Sequence, residues 1–117
     1  MSNHEKINYV EFQTRDIAAS KAFFVAAFGW TFVDYGPDYA AISNSGIEGG
    51  IYTADGHSDS DSGGALVVLF SDRLEETRDK VLKAGGAIKK DIFSFPGGRR
   101  FHFTEPSGNE LAVWSDK

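Results

Sequence analysis

The side chains best suited to chemistry lie on three strand-like stretches, where they alternate with other residues. Residues two apart on a strand face the same side of a sheet, so each stretch presents a carboxylate together with an aromatic ring. A carboxylate whose pKa is raised by burial can act as a general base, and an aromatic ring can stack on a planar ligand. The residues concerned are Tyr9 and Glu11, Glu48 and Tyr52, and Glu110 and Trp114.

These residues also have ordinary structural explanations. Aromatic residues on strands commonly pack in the core or against a neighbouring strand. A carboxylate on a concave face is costly unless it is paired or meets a ligand, but Glu11 could equally lie at a solvated rim or pair with Arg99 or Arg100. The core and pocket interpretations therefore both remain open.

The three histidines indicate no catalytic site. His4 is close to the N-terminus, and His57 lies in a segment rich in Gly, Ser and Asp. His102 alternates with Phe101 and Phe103 and should face away from both. The run "DSDSGG" lacks the glutamate that a calcium loop requires, and no Ser-His-Asp arrangement, Walker loop or dinucleotide fingerprint is present.

Composition limits the function classes. The chain has 117 residues, a net charge of −5, no cysteine and no stripe of basic residues, so nucleic-acid or anionic-membrane binding is not expected. No apolar run approaches the roughly 20 residues of a membrane span, and the first residues lack a signal-peptide layout. We expect a single-domain, cytoplasmic protein.

An internal repeat predicts the elements that position these side chains. At an offset of 56 residues, Asp16 aligns with Asp72 and Gly29 with Gly85. Each pair brackets a helical stretch, with Asp as the expected N-cap and Gly at the left-handed exit. The first helix is so apolar that it should pack against a second surface, either the other half of the chain or a second subunit.

Three strand-like segments follow each helix. The chain therefore predicts two βαβββ modules, at residues 6–54 and 64–116, joined by an exposed and mobile linker at residues 55–63. "PGGRR" reads as a hairpin turn. Its two arginines are expected at the surface, although they could also bind an anionic ligand. The predicted strands are Thr31–Tyr35, Tyr39–Ser43 and Ile47–Thr53 in the first module, and Ala87–Phe95, Arg99–Thr104 and Glu110–Trp114 in the second.

The stretches "DIAASKAFFVAAFGW" and "GGRRFHFTEPSGNELAVW" together resemble the vicinal oxygen chelate superfamily, which includes glyoxalase I, bleomycin-resistance proteins and extradiol dioxygenases. The resemblance covers roughly residues 6–115. It implies an α+β fold in which the curved mixed sheets of two βαβββ modules form a cup, and it implies a homodimer.

The same resemblance assigns four metal-ligand positions, which here hold Tyr9, Gly50, Ala65 and Ala112. Gly and Ala offer no donor, and a neutral Tyr is a poor lone ligand, so we expect no metal and no other cofactor. The small residues at three of these positions are expected to leave room for a ligand.

Three hypotheses follow. The first is a metal-free protein that binds a small aromatic or planar molecule in its cup, with Tyr9, Tyr52 and Trp114 stacking on the ligand and Glu11 fixing a donor or cation. The alternative is a metal-independent lyase or isomerase that acts on a small carbonyl compound, with Glu11 or Glu48 as base. The third is an interaction module whose cup is vestigial.

Overall fold

The computed structural model describes residues 3–117 as two consecutive βαβββ modules. Each module forms a mixed four-stranded sheet, in the order β1-β4-β3-β2 and β5-β8-β7-β6, in which the first strand runs parallel to the last. The elements are β1 (Tyr9–Thr14), α1 (Ile17–Phe28), β2 (Thr31–Asp34), β3 (Tyr39–Ser43), β4 (Glu48–Thr53), β5 (Val67–Phe70), α2 (Leu74–Lys83), β6 (Ala87–Phe95), β7 (Gly98–Thr104) and β8 (Glu110–Ser115). The predicted α+β fold is confirmed. Among the residues described, no helix is both long and apolar enough to cross a membrane.

The start of α1 follows the prediction, whereas the start of α2 does not. The Asp16 carboxylate accepts a hydrogen bond from the Ala19 amide at 3.1 Å, and Gly29 ends the helix with a left-handed φ of 72°. In the second module the N-cap is Arg73, without a side-chain hydrogen bond, so the prediction that Asp72 caps the helix is wrong. The Ser71 hydroxyl accepts the Arg73 amide at 3.0 Å instead.

Matching hydrogen bonds show that the modules correspond at an offset of 57 residues in this region. Thr14 Oγ1 accepts the amide two residues later and lies 2.8 Å from the Ser20 hydroxyl. In the second module, Ser71 Oγ likewise accepts the amide two residues later and lies 2.7 Å from the Thr77 hydroxyl. The second-module counterpart of Tyr9 is therefore Leu66 rather than Ala65.

The apolar first helix packs against the second module of the same chain. The ring centroids of Phe23 and Phe28 lie 5.8 and 5.7 Å from that of Phe103 on β7. Phe24 contacts Phe12 on β1 at 6.1 Å, so the helix also covers its own sheet. One core therefore extends across both modules, as expected for a helix that is apolar around much of its surface.

The turn "EPSGN" also joins the modules. One Glu105 oxygen accepts the Ser20 hydroxyl at 2.6 Å, and the other accepts the Ser107 and Asn109 amides at 2.9 and 3.1 Å. The Asn109 side chain in turn donates to the Gln13 carbonyl of β1 at 2.7 Å. These buried groups satisfy one another, which is why the carboxylate tolerates burial.

Hydrogen bonds connect the linker at residues 55–63 to the second module. The Ser58 amide donates to the Asn109 side chain at 2.8 Å, and the amide and hydroxyl of Ser60 both donate to Glu110 at 2.7 Å. The linker is thus hydrogen-bonded to the start of β8 at two points.

Candidate functional site

The face of each sheet that points away from the helices is called the cup face. On β7, Phe101 and Phe103 are buried in the core, so Arg100 and His102 belong to the cup face. On β1, Phe12 contacts α1, so Tyr9 and Glu11 lie on the cup face, as the alternation predicted. The candidate site residues of each module therefore lie on its cup face.

In the first module, Tyr9 and Glu11 are linked by a residue that the sequence reasoning missed. The Tyr39 hydroxyl donates to the Glu11 carboxylate at 2.9 Å and is hydrogen-bonded to the Tyr9 hydroxyl. The bond with Tyr9, burial and the nearby carboxylate all raise the pKa of Tyr39. Tyr39 therefore stays protonated and holds Glu11 in place.

The space expected at two of the metal positions is filled. A side chain at Gly50 would collide with the Tyr39 hydroxyl and ring, because Tyr39 lies across this glycine. Ala112 is fully buried. The expectation that Gly50 leaves room for a ligand is therefore wrong, because Tyr39 occupies that place, and Ala112 is not open to a ligand either.

The other predicted residues of the first module are more open. Glu48 is exposed and lies opposite Tyr9 in the parallel pairing of β1 with β4. Tyr52 is half-buried and lies opposite Gln13 and Tyr39 on its two neighbouring strands. Glu11 is exposed as well, so neither candidate base has the burial that would make it a good one.

In the second module, Trp114 is half-buried among other rings of the cup face. Its centroid lies 5.1 Å from that of Phe70 and 6.3 Å from that of Phe95, both in edge-on geometry. Phe70 remains 55% exposed, so this aromatic group is open to solvent. A half-open arrangement of rings can stack on a planar molecule.

Beside these rings lies a chain of three polar side chains. Arg100 donates from Nε and Nη2 to Nε2 of His102, at 3.2 and 2.8 Å. Because Nε2 accepts, the proton of the neutral imidazole is on Nδ1, which donates to Glu110 at 2.7 Å. The arrangement is a carboxylate, an imidazole and a guanidinium in sequence.

Glu110 is the buried anchor of this chain. Burial favours the neutral carboxyl, but hydrogen bonds from His102, from the amide and hydroxyl of Ser60 and from Lys89 outweigh it and lower the pKa of Glu110 to about 2. Glu110 is therefore ionised at neutral pH and keeps the His102 ring oriented toward Arg100.

Within residues 3–117, no hydrogen bond or ring contact joins Trp114 of the second module to Tyr9, Glu11 or Tyr52 of the first. A cavity of about 760 Å³ lies between the edge strands β1 and β5, and Glu48 is the one residue of the predicted set in its lining. Its apolar lining includes Val10 and Phe12 of β1, Val67 and Leu69 of β5, and Ile42.

The positions assigned to metal ligands do not fit a divalent ion. With the offset corrected, they hold Tyr9, Gly50, Leu66 and Ala112, and the last three have no donor atom. The Tyr9 hydroxyl is hydrogen-bonded to Tyr39. Within residues 3–117, no three carboxylate or imidazole side chains are grouped so that they could hold a metal ion.

Comparison with known proteins agrees with this architecture. The model of the Glyoxalase/Bleomycin resistance protein/Dioxygenase superfamily matches residues 6–113, and the chain belongs to this superfamily. No curated protein sequence matches the chain.

Solved structures of low sequence identity share the fold. A glyoxalase/bleomycin resistance protein/dioxygenase family enzyme from Burkholderia phytofirmans PsJN is 16% identical, with a TM-score of 0.78 over 94% of this chain and 98% of that one. TioX from Micromonospora sp. ML1 is 17% identical, with a TM-score of 0.74 over 94% and 98%. A mutant of the fosfomycin resistance protein FosX from Listeria monocytogenes, complexed with Mn(II) and 1S,2S-dihydroxypropylphosphonic acid, is 13% identical, with a TM-score of 0.78 over 94% and 89%.

Proposed function

We propose that this protein binds a small planar molecule without a metal ion, and that the ligand stacks on the cup face of the second module. The observation that carries this proposal is the half-open group of rings around Trp114, which includes the exposed Phe70. Burying such rings against a planar ligand is favourable because it removes apolar area from water and adds ring–ring contacts.

The donor chemistry of the chain supports binding without a metal. Three of the four assigned positions hold Gly50, Leu66 and Ala112, and no other donor group replaces them within the residues described. Lewis-acid chemistry needs an ion held by such donors, so we propose that the protein binds its ligand without a covalent step.

The homodimer implied by the family resemblance would explain why the predicted residues lie on two separate faces. Large apolar side chains remain exposed on the cup faces of both modules, including Val33 at 51% and Val68 at 42%. We propose that a second copy brings the Tyr9 and Tyr52 face of one chain to the Trp114 face of the other. Light scattering after size-exclusion chromatography should then give about twice the chain mass of 12.8 kDa.

The enzyme alternative has less support. It needs Glu11 or Glu48 to be a buried base, and both are exposed. The Tyr39 hydroxyl also donates to one oxygen of Glu11, so that oxygen already has a partner within the chain.

The direct test is calorimetric titration with 1-naphthamide, a neutral planar probe, in buffer containing EDTA. We expect saturable binding that is unchanged by the chelator and is lost in Trp114→Ala. Tyr35→Ala is the matched control, because Tyr35 is 66% exposed on the first module, outside the ring group. Stoichiometric binding of Zn²⁺ or Mn²⁺, or probe binding that requires either ion, would overturn the proposal.

A further inference from the structure

Arg100 is a half-buried cation on the cup face of the second module. No Asp or Glu oxygen among residues 3–117 lies within 4.0 Å of its guanidinium. The preceding arginine differs, since Arg99 forms two hydrogen bonds with Glu75 of α2, the longer at 3.2 Å. A partly desolvated guanidinium without a counter-charge favours the binding of an anion.

The hydrogen bonds of Arg100 leave one specific edge of the guanidinium free. Its Nε and Nη2 groups both donate to the imidazole of His102. The remaining hydrogens form the fork between Nη1 and Nη2, which points away from His102 because the guanidinium is planar. This fork matches the two oxygens of a carboxylate. Since His102 is itself held by the buried Glu110, the fork has a fixed direction.

Aromatic rings flank the guanidinium. Its central carbon lies 5.8 Å from the ring centroid of Phe93 and 5.9 Å from that of Phe95. Phe95 also contacts Trp114, and Trp114 lies directly opposite Arg100 in the pairing of β7 with β8. A cation and a stacking surface therefore lie side by side on one face.

We infer that this face recognises an aromatic carboxylate, whose ring stacks on Trp114 and Phe95 while its carboxylate binds the free fork of Arg100. The inference rests on the proposed function and names the ligand class for it. A polyphosphate or nucleic acid fits less well, because the site offers a single guanidinium among apolar rings and the chain carries a net charge of −5.

His102 is a positioning residue in this site. Its Nε2 atom accepts hydrogen bonds from two N–H groups of Arg100. Glu110 accepts the Nδ1 proton and so fixes the tautomer in which Nε2 can accept. His102 is 4% exposed, so it orients the cation from beneath without reaching the ligand.

The test compares 1-naphthoate with 1-naphthamide, which has the same ring and no charge, by calorimetry in EDTA. We expect wild-type protein to bind the carboxylate at least about tenfold more tightly, as one charge-assisted bidentate contact can provide. Arg100→Gln should reduce this ratio to about one while the amide still binds. Arg99→Gln removes the same charge from the adjacent position and should leave the ratio unchanged.

Two further variants separate charge from geometry, and unchanged amide binding shows that each of them is folded. Arg100→Lys keeps the charge without the fork and should retain only part of the preference, whereas His102→Leu should lower the preference without affecting amide binding. Equal affinity of wild-type protein for both probes, or a preference that survives Arg100→Gln, would overturn the inference and leave the proposed function intact. Failure of both probes to bind would overturn both.

Discussion

Tyr39 and Arg100 occupy corresponding places in the two modules, since each lies opposite an aromatic residue of the last strand. Tyr39 faces Tyr52, and Arg100 faces Trp114. Tyr39 covers Gly50 on the first cup face and is hydrogen-bonded to Tyr9 and Glu11. Arg100 places a cation beside the rings of the second cup face, which stay partly exposed.

Glu48 and Glu110 make the same contrast at the start of the last strand. Glu48 is exposed, whereas the Glu110 side chain is fully buried and binds Lys89 and His102. One βαβββ scaffold thus carries either a solvent-facing carboxylate or a buried one that organises its neighbours. The difference is in the side chains, because the strand order is the same in both modules.

The largest expected effect is at this carboxylate pair. Glu110→Ala should lower the free energy of unfolding by about 3–5 kcal/mol, because it leaves the buried His102 and the Ser60 amide without their carboxylate partner. Glu48→Ala should change it by less than about 0.5 kcal/mol, as is usual for exposed positions. Urea unfolding followed by circular dichroism measures both. Equal losses of unfolding free energy in the two variants would contradict the assignment of Glu110 as buried and Glu48 as exposed.

Acid should affect stability through Glu110 in a defined range. The folded pKa of about 2 lies below the usual 4.5, so the stabilisation is fully present above pH 4.5 and is lost as the pH falls toward 2. The loss should amount to roughly 3 kcal/mol. Glu110→Gln should flatten the slope of unfolding free energy against pH in this window, while Glu48→Gln should keep it. A slope unchanged in Glu110→Gln would contradict the buried, ionised carboxylate.

A smaller effect tests how the first cup face is closed. Gly50→Ala should cost about 1–3 kcal/mol, since the added methyl group meets the Tyr39 hydroxyl and ring. In a Tyr39→Leu background the same change should cost clearly less, and a double-mutant cycle from denaturant unfolding measures the coupling. Additive costs would mean that Tyr39 does not fill this space.

The smallest expected effect compares the helix starts. Asp16→Ala should cost about 1 kcal/mol because the carboxylate caps α1, while Asp72→Ala should cost less than about 0.5 kcal/mol because it caps nothing. Thermal unfolding of the two variants provides the measurement. A larger loss for Asp72→Ala would restore the capping role that the repeat suggested.

Local patterns in the sequence predicted most of the fold. The strands Tyr39–Ser43 and Ala87–Phe95 have the predicted bounds, because alternation and flanking turn residues mark them clearly. The repeat alignment was one residue out of register near α2, because it took Asp72 as the N-cap when the N-cap is Arg73. The same shift of one residue made Ala65, rather than Leu66, the counterpart of Tyr9.

The candidate site was harder to predict because it depends on contacts between strands. The sequence places Arg99 and Arg100 side by side, and only their pairing shows that Arg99 reaches Glu75 of α2 while Arg100 turns to the rings. His102 appeared to be an isolated strand histidine, although its alternation with Arg100 and its hairpin relation to Glu110 were available signals. Tyr39 could not be linked to Glu11, because the residues are 28 positions apart.

Titration of isotope-labelled protein with 1-naphthoate in EDTA, followed by side-chain nitrogen NMR, tests whether the second cup face binds an aromatic carboxylate without a metal ion. Such binding predicts saturable shifts of the Trp114 indole N–H and the Arg100 Nε–H. The Trp30 indole is an internal control, since Trp30 is buried and stacked on Phe24, and it should not move. No shift at Trp114 and Arg100, or shifts only after a divalent metal is added, would contradict metal-free recognition on the second cup face.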